Sequence, residues 1–425
     1  MSKSTKQNKG QEAISTELLE QKGSLRTDFF AIFVLIDVCF LPYIRQLSCL
    51  VSMLLLIFWY FLKINRIRRD KEFILFWLSV FLIGLSVVMS KFVMPNHVYA
   101  ASGISVNPFN YTVTHTAIFL FAYLYYFCIK TEFSQKPHLL KKVENALIIV
   151  LTLLFLFALY YIASPGGFYT LRSFWTMSGT EVNATVQTAS YYRYTGPFSD
   201  PNDAACISLA IGIAIFESSE RMKVKYYSLI ASIVILLATM SVTGLLSAGL
   251  FFFIKLIQVL KKQKIKPAPL FIIVVSSIVL ILLMGGAGEI EVLSRAIRRM
   301  GDNGDSANTR IEIWKILLRN KGIFNYLLIG TGTAITVGTS MRVPHSGHLH
   351  LLYSYGLVVH LTFLYVFFRK QKGIKWKKYL YLIPLFTCFT INNGVYDARY
   401  IFLMVIVIAY AKAKLAYEEL HRCGG

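Results

Sequence analysis

Residues 146–163 read ALIIVLTLLFLFALYYIA and contain no charged residue, glycine or proline. A helix of about 20 apolar residues is long enough to cross the roughly 30 Å hydrocarbon core of a bilayer. This block is apolar all round rather than along one stripe, which is typical of a helix in contact with lipid. The segment therefore predicts a transmembrane helix.

Similar apolar blocks recur on both sides of this segment. The twelve candidate spans are 29–44, 47–62, 72–93, 111–129, 146–163, 202–216, 227–240, 242–260, 269–286, 346–368, 379–392 and 400–417. The chain is 56% hydrophobic with a mean hydropathy of +0.56, whereas a soluble domain is about 45–50% apolar. The pattern predicts an all-α integral membrane protein, a single polytopic domain over residues 1–425. Because several spans are short, we expect some helices to be broken around a central cavity.

The basic residues predict the orientation of these spans. If both termini are cytoplasmic, 31 of the 44 Lys and Arg residues fall in inner segments, and every inner loop is basic. This agrees with the positive-inside rule and makes residues 1–28 a cytoplasmic tail. The net charge of +22 then reflects topology, and we expect no nucleic-acid partner.

The basic residues assigned to the outer face differ in type from the inner ones. Ten of the 13 outer residues are Arg, whereas the inner segments hold 24 Lys and 7 Arg. Topology needs only charge, but the planar guanidinium fork suits phosphate and carboxylate. The excess predicts an outer site for an anion. The alternative is compositional chance together with a few structural ion pairs.

Two long periplasmic loops are predicted, 164–201 and 287–345. The first is rich in aromatic residues such as Trp175, Tyr192 and Tyr194, which suit stacking on sugar faces; the alternative is an interfacial aromatic belt. The loop ends at Asp200, a good helix N-cap, followed by Pro201, a good first helical residue. The start of that helix favours a phosphate, whereas the neighbouring carboxylates oppose one.

The second loop contains two amphipathic stretches. In the first, Arg295 and Arg299 are four residues apart on one helical face, with Arg298 beside them. The second carries Arg310 and Trp314 on helical spacing. Residues 301–305 form a turn cluster that resembles a calcium loop but lacks its downstream spacing. We therefore expect short helices and an arginine-rich surface in this loop.

Three histidines, His345, His348 and His350, open the tenth span. Metal ligation is one interpretation, but no carboxylate lies at a matching spacing. General base chemistry is another, because imidazole titrates near neutral pH. A third is polar interfacial residues hydrogen-bonded to the backbone. We predict no metal and no cofactor.

These loops resemble those of the bacterial O-antigen ligase and O-antigen or capsule polymerase (Wzy) superfamily. Three short signatures carry the resemblance: Arg193, Gly196 and Pro201-Asn202; Arg310, Trp314 and Gly330-Thr331-Gly332; His345, Leu349 and Gly356. The chain departs from the family at Ser346, where Asn is usual, and at Ser354, where Glu is frequent. The topology matches over most of the chain, but the motifs are short and degenerate.

The resemblance implies a GT-C-like glycosyltransferase in the bacterial inner membrane. Its donor is an oligosaccharide on undecaprenyl diphosphate, without nucleotide sugar or metal. A chain-length regulator and a flippase are implied partners besides the bilayer. The implied catalytic residues are His345 as base and Arg193 and Arg310 at the leaving diphosphate. The candidate substrate-binding residues are Arg295, Arg298, Arg299, His348, Arg342, Tyr192, Tyr194, Asn202 and Trp175.

The predicted function is therefore glycan polymerisation, the transfer of lipid-linked repeat units onto another lipid-linked unit. A ligase that transfers the glycan to lipid A-core is the nearest alternative. A transporter or flippase is a second, although the chain shows no internal repeat and its span interiors are poor in charge. A structural scaffold is a third, but it does not need two long Arg- and aromatic-rich loops.

Overall fold

The computed structural model describes residues 30–44, 50–64, 67, 70–94, 96–99, 105–175, 193–262, 311–317, 319, 328–337, 340–341, 344–371, 374–392 and 394–423. Within these ranges the chain is helical apart from connecting segments and four two-residue strands. Six helices are long and apolar enough to cross a membrane. The chain is thus an all-α membrane protein, as predicted.

The helices are α1 Phe30–Phe40, α2 Val51–Lys63, α3 Lys71–Val93, α4 Pro108–Gln135, α5 His138–Ala163, α6 Pro165–Arg172, α7 Pro201–Ser218, α8 Met222–Thr239, α9 Val242–Lys262, α10 311–317, α11 Gly347–Tyr355, α12 Leu357–Phe368, α13 Leu382–Ile391 and α14 Ala398–Cys423. Those that meet the length and hydropathy of a membrane span are α3, α4, α5, α8, α9 and α14.

The helices coincide with the apolar blocks of the sequence. The predicted span 269–286 lies outside the described residues, and each of the other eleven overlaps a described helix. The predicted span 346–368 is two helices, because Gly356 has φ +86° and interrupts the chain between α11 and α12. A side chain at Gly356 would collide with the Leu328 carbonyl. This break fits the expectation of discontinuous helices.

Local capping sets where several helices begin. The Asp200 carboxylate accepts a hydrogen bond from the Asn202 amide at 2.7 Å, and α7 begins at Pro201. The predicted cap is therefore confirmed. The Asp70 and Asn107 side chains cap α3 and α4 in the same way. Each cap satisfies amide groups that the first helical turn leaves without a partner.

Helix α7 lies at the centre of the bundle. Every residue from 201 to 215 is buried, and α7 contacts α5, α8, α9, α13 and α14. Its closest neighbour is α8, where the Ser228 and Ser232 hydroxyls donate to the carbonyls of Gly212 and Ser208 at 3.1 and 2.9 Å. A Cβ at Gly212 would collide with Ser232 Oγ and lie 2.8 Å from the Ser228 carbonyl oxygen. Glycine thus permits the close approach of the two backbones.

We expect Gly212→Val to destabilise the protein by about 1–3 kcal/mol, because the overpacked interface must separate α7 from α8. Thermal unfolding in detergent measures the effect. Gly84→Val is the matched control, since nothing lies within 4 Å of a Cβ at Gly84. Equal unfolding temperatures for the two variants would contradict this prediction, because they would show that the α7–α8 interface accommodates a valine at position 212.

Four short strands form a small sheet that the sequence pattern does not predict. The strands are β1 Val98–Tyr99, β2 Ser105–Val106, β3 Thr336–Val337 and β4 Ser340–Met341. Their order is β2-β1-β4-β3, with β1 and β4 parallel and the other pairs antiparallel. The sheet ties the connection between α3 and α4 to the chain that leads to α11.

Candidate functional site

The family-like segments meet at one end of the helix bundle. We call the end at which α7, α11 and α14 begin the outer end, after the charge distribution, and the opposite end the inner end. The first signature leads into α7, and the third opens α11. These segments are about 150 residues apart in the chain, so only tertiary packing brings them together.

Asn392 connects the starts of α7 and α11. Its side-chain amide donates to Asp203 Oδ1 at 2.8 Å, and its carbonyl accepts from the Gly347 amide at 3.0 Å. Cys388 Sγ lies 3.5 Å from the same Asp203 oxygen. Asp203 is therefore held inside the protein by α13 and the turn that follows it. Asn392 is not among the residues predicted for the site, because its only signal in the sequence is a polar turn between two apolar blocks.

The second signature packs against the third. Trp314 Nε1 donates a hydrogen bond to the carbonyl of Pro344, immediately before His345. The amides of Thr331 and Gly332 donate to the Tyr353 and Ser354 carbonyls at 3.0 and 2.9 Å, near the end of α11. The glycine-rich turn thus fills the break between α11 and α12. These contacts hold both sides of the segment that carries His345.

His345 occupies an unusual backbone conformation. Its φ is +47°, in the left-handed region that non-glycine residues adopt only rarely. The residue is half-buried and directly precedes Ser346, whose side chain caps α11. Such strained residues persist where the surrounding structure holds them, and they cluster at active sites. Among the three histidines, His345 alone combines partial exposure with this geometry.

His348 and His350 are held by internal contacts. His348 Nδ1 lies 2.9 Å from His360 Nε2, and its Nε2 lies 3.2 Å from the Thr390 hydroxyl. His350 is buried, with Nε2 3.0 Å from the Thr333 carbonyl oxygen. Both therefore match the interpretation of polar residues bonded within the protein better than that of a base. Among the described residues, no group of three or more His, Cys, Asp and Glu residues could hold a metal ion.

Arg193 is half-buried and reaches the C-terminal end of α8. Its Nε and Nη2 donate to the carbonyls of Thr239 and Met240 at 2.9 and 3.1 Å. A guanidinium at a helix C-terminus is favourable, because it interacts with the negative end of the helix dipole. The Arg193 carbonyl accepts from the Tyr169 hydroxyl, which fixes the backbone as well.

Arg172 and Arg399 organise the outer end from within. Arg172 is only 3% exposed, and its Nη2 donates to the Phe198 carbonyl at 2.9 Å, which positions the turn before α7. Burial lowers the pKa of the Arg172 guanidinium, opposed by Tyr169 and Asp397 nearby. Arg399 donates to the Val38 and Leu41 carbonyls at the end of α1, at 2.5 and 2.9 Å. Hydrogen bonds inside the protein thus account for two of the ten arginines that the charge pattern assigns to the outer face.

Three predicted substrate-binding residues are buried instead. Tyr194 is 0% exposed and donates its hydroxyl to the Leu154 carbonyl at 2.8 Å. Trp175 is 4% exposed, and its Nε1 donates to the Phe40 carbonyl at 3.0 Å. Asn202 is 7% exposed and accepts from the Ser241 hydroxyl at 2.6 Å. Each of these side chains packs or bonds inside the protein, and their assignment to the substrate stays a prediction.

The remaining predicted site residues lie outside the described part of the chain. They are Tyr192, Arg295, Arg298, Arg299, Arg310 and Arg342. The described part of the site therefore consists of His345, which follows the Pro344 carbonyl bound by Trp314, and Arg193, which is bound to the end of α8. It offers an imidazole at a helix start and a guanidinium at a helix end.

Comparison with protein-family models, curated proteins and solved structures finds no match for this chain.

Proposed function

We propose that this chain is a glycan polymerase that transfers oligosaccharide repeat units from undecaprenyl diphosphate to a second lipid-linked repeat unit. The observation that supports it is the convergence of three separate signature segments at the outer end. Asn392 links the first to the third, and Trp314 links the second to the third. A ligase of the same superfamily differs in its acceptor.

The proposed reaction replaces one C–O bond with another. The acceptor hydroxyl attacks the anomeric carbon of the donor sugar, and His345 accepts the hydroxyl proton. The bond from that carbon to the diphosphate breaks, and its electron pair goes to the leaving phosphate oxygen. Arg193 and Arg310 stabilise the negative charge that develops there. Fixed guanidinium groups in a partly dry site stabilise such charge more strongly than groups in water.

The surface glycan of a deletion strain distinguishes the polymerase proposal from the ligase alternative. Loss of a polymerase leaves single repeat units on the cell surface, because each unit is still exported and attached. Loss of a ligase leaves long chains on the lipid carrier. We expect single-repeat material, and long carrier-linked chains would contradict the polymerase assignment.

The proposal includes twelve spans with both termini in the cytoplasm of a bacterial inner membrane. Truncation fusions to a topology reporter after Lys264 and after Asp302 test this topology across the predicted span 269–286, which lies outside the described residues. We expect the Lys264 fusion to report the cytoplasm and the Asp302 fusion the periplasm, because the basic segment 255–266 is retained inside. The same side for both fusions would contradict the twelve-span topology.

A further inference from the structure

A basic cavity lies at the inner end, away from the described residues of the proposed transfer site. Its volume is 370 Å³, and it lies among the ends of α4 and α14, the segment after α12, and the start of α3. Its lining residues are Glu72, Tyr126, Lys130, Phe133, Ser134, Pro137, Arg369, Lys370, Gln371, Ala409, Lys412, Ala413, Ala416 and Tyr417. The volume is within the range of about 300–1,000 Å³ that is usual for ligand pockets.

Four cationic side chains and one carboxylate line this cavity. Lys130 is already paired, because its Nζ lies 2.9 Å from Asp70 Oδ2 and 2.5 Å from Glu72 Oε2. Among the described residues, Arg369, Lys370 and Lys412 form no ion pair. The cavity therefore carries an excess of positive charge that the described part of the protein does not neutralise.

Lys412 is the most informative of these cations. It is only 6% exposed; its Nζ donates to the Val366 carbonyl at 2.8 Å and lies 5.9 Å from the centre of the Tyr126 ring. An ammonium has three N–H donors, and the carbonyl uses one. Burying a charge without a counter-charge costs several kcal/mol. Glu72, the one carboxylate that lines the cavity, is already paired with Lys130, so a bound anion would supply the further negative charge that balances Lys412.

The helix that carries Lys412 also provides the space. Ala409, Ala413 and Ala416 line the cavity with it, and their spacing places them on the same helical face. Small side chains on that face leave the volume open beside the ammonium. Arg369 lies across the cavity, with its guanidinium carbon 4.4 Å from the centre of the Tyr365 ring. Its planar fork matches the oxygen pairs of a phosphate.

We propose that this cavity binds a phosphate-bearing anion, and that the phosphate belongs to the headgroup of an anionic membrane lipid. Basic pockets between membrane helices on the cytoplasmic side are suited to such headgroups, because that leaflet carries anionic lipid. Lys412 and Arg369 contact the phosphate, and Lys370 adds charge at the rim. The alanine face and the Tyr126 and Tyr417 rings enclose the remainder of the headgroup.

The test measures thermal unfolding of the full-length protein in neutral detergent. Mixed micelles with increasing phosphatidylglycerol are compared with phosphatidylcholine and with inorganic phosphate. We expect phosphatidylglycerol to raise the unfolding temperature, and Lys412→Met and Arg369→Gln to increase the half-saturating lipid concentration about tenfold or more, since each loses a charge-assisted contact. Lys414→Met is the matched control: it removes the same charge from the same helix but does not line the cavity.

Each outcome decides the proposal. The proposal is supported if Lys414→Met keeps the response to phosphatidylglycerol and Lys412→Met and Arg369→Gln lose it. An equal response to inorganic phosphate would assign the cavity to a soluble phosphate compound instead of a lipid. If Lys412→Met does not fold, Ala413→Phe fills the cavity without removing a charge and should abolish the response. The same response in native protein, Arg369→Gln and Ala413→Phe would overturn the proposal.

Discussion

Replacing His345 with asparagine is expected to lower the rate of glycan transfer by about 10²–10⁴-fold, the usual contribution of a general base. Asparagine cannot take up the proton of the attacking sugar hydroxyl at neutral pH. It does tolerate the left-handed backbone that His345 adopts at φ +47°. The loss should therefore appear in turnover, with little change in donor binding or in thermal stability. Steady-state kinetics with a lipid-linked repeat unit measure turnover, and thermal unfolding measures stability.

The neighbouring histidines provide the comparison for this variant. His348→Asn removes contacts with His360 and Thr390, and His350→Asn removes a contact with the Thr333 carbonyl. Both should lower the unfolding temperature and leave more turnover than His345→Asn. Near-normal turnover in His345→Asn together with its loss in His348→Asn would move the base one helical turn along the chain.

The second large effect is expected at Arg193 and Arg310. Lysine keeps the charge but loses the planar fork, and removing one such donor from a developing negative charge costs about 10²–10³-fold in turnover. We therefore expect Arg193→Lys and Arg310→Lys to lower kcat and kcat/KM by similar factors, which is the signature of an interaction made mainly in the transition state. Initial rates over a range of donor concentrations separate the two constants.

Arg193 also caps α8, so its variant needs a structural control. Ser241→Ala removes the hydroxyl that donates to Asn202 beside the end of α8, and it should lower stability without a comparable loss of kcat. Arg221→Lys replaces an arginine at the inner end, where 56% of its side chain is exposed, and should retain full activity. Full activity in both Arg193→Lys and Arg310→Lys would show that these arginines serve structure alone.

The apolar blocks predicted the helices well, because length and hydropathy are local properties of the chain. The Asp200 cap was predictable for the same reason, since its partner is two residues away. The four strands were not predictable from the sequence, because two-residue strands carry no periodic pattern. The interruption at Gly356 depends on the approach of Leu328, which the sequence does not reveal.

The site was harder to predict than the fold. The aromatic composition of their loop predicts that Trp175 and Tyr194 contact the substrate, but both rings are buried inside the protein. Composition cannot distinguish an aromatic surface from an aromatic core. Likewise, nothing in the spacing of Asn392 shows that it joins α7 to α11. Its role depends on contacts between segments far apart in the chain.

The most direct test of the polymerase proposal uses purified protein in liposomes with an undecaprenyl-diphosphate-linked repeat unit as the only substrate. The account predicts a ladder of glycans that differ by one repeat unit, with one undecaprenyl diphosphate released for each bond formed. His345→Asn in the same liposomes should release almost none. Active transfer to lipid A-core without any ladder from the lipid-linked unit alone would contradict the account.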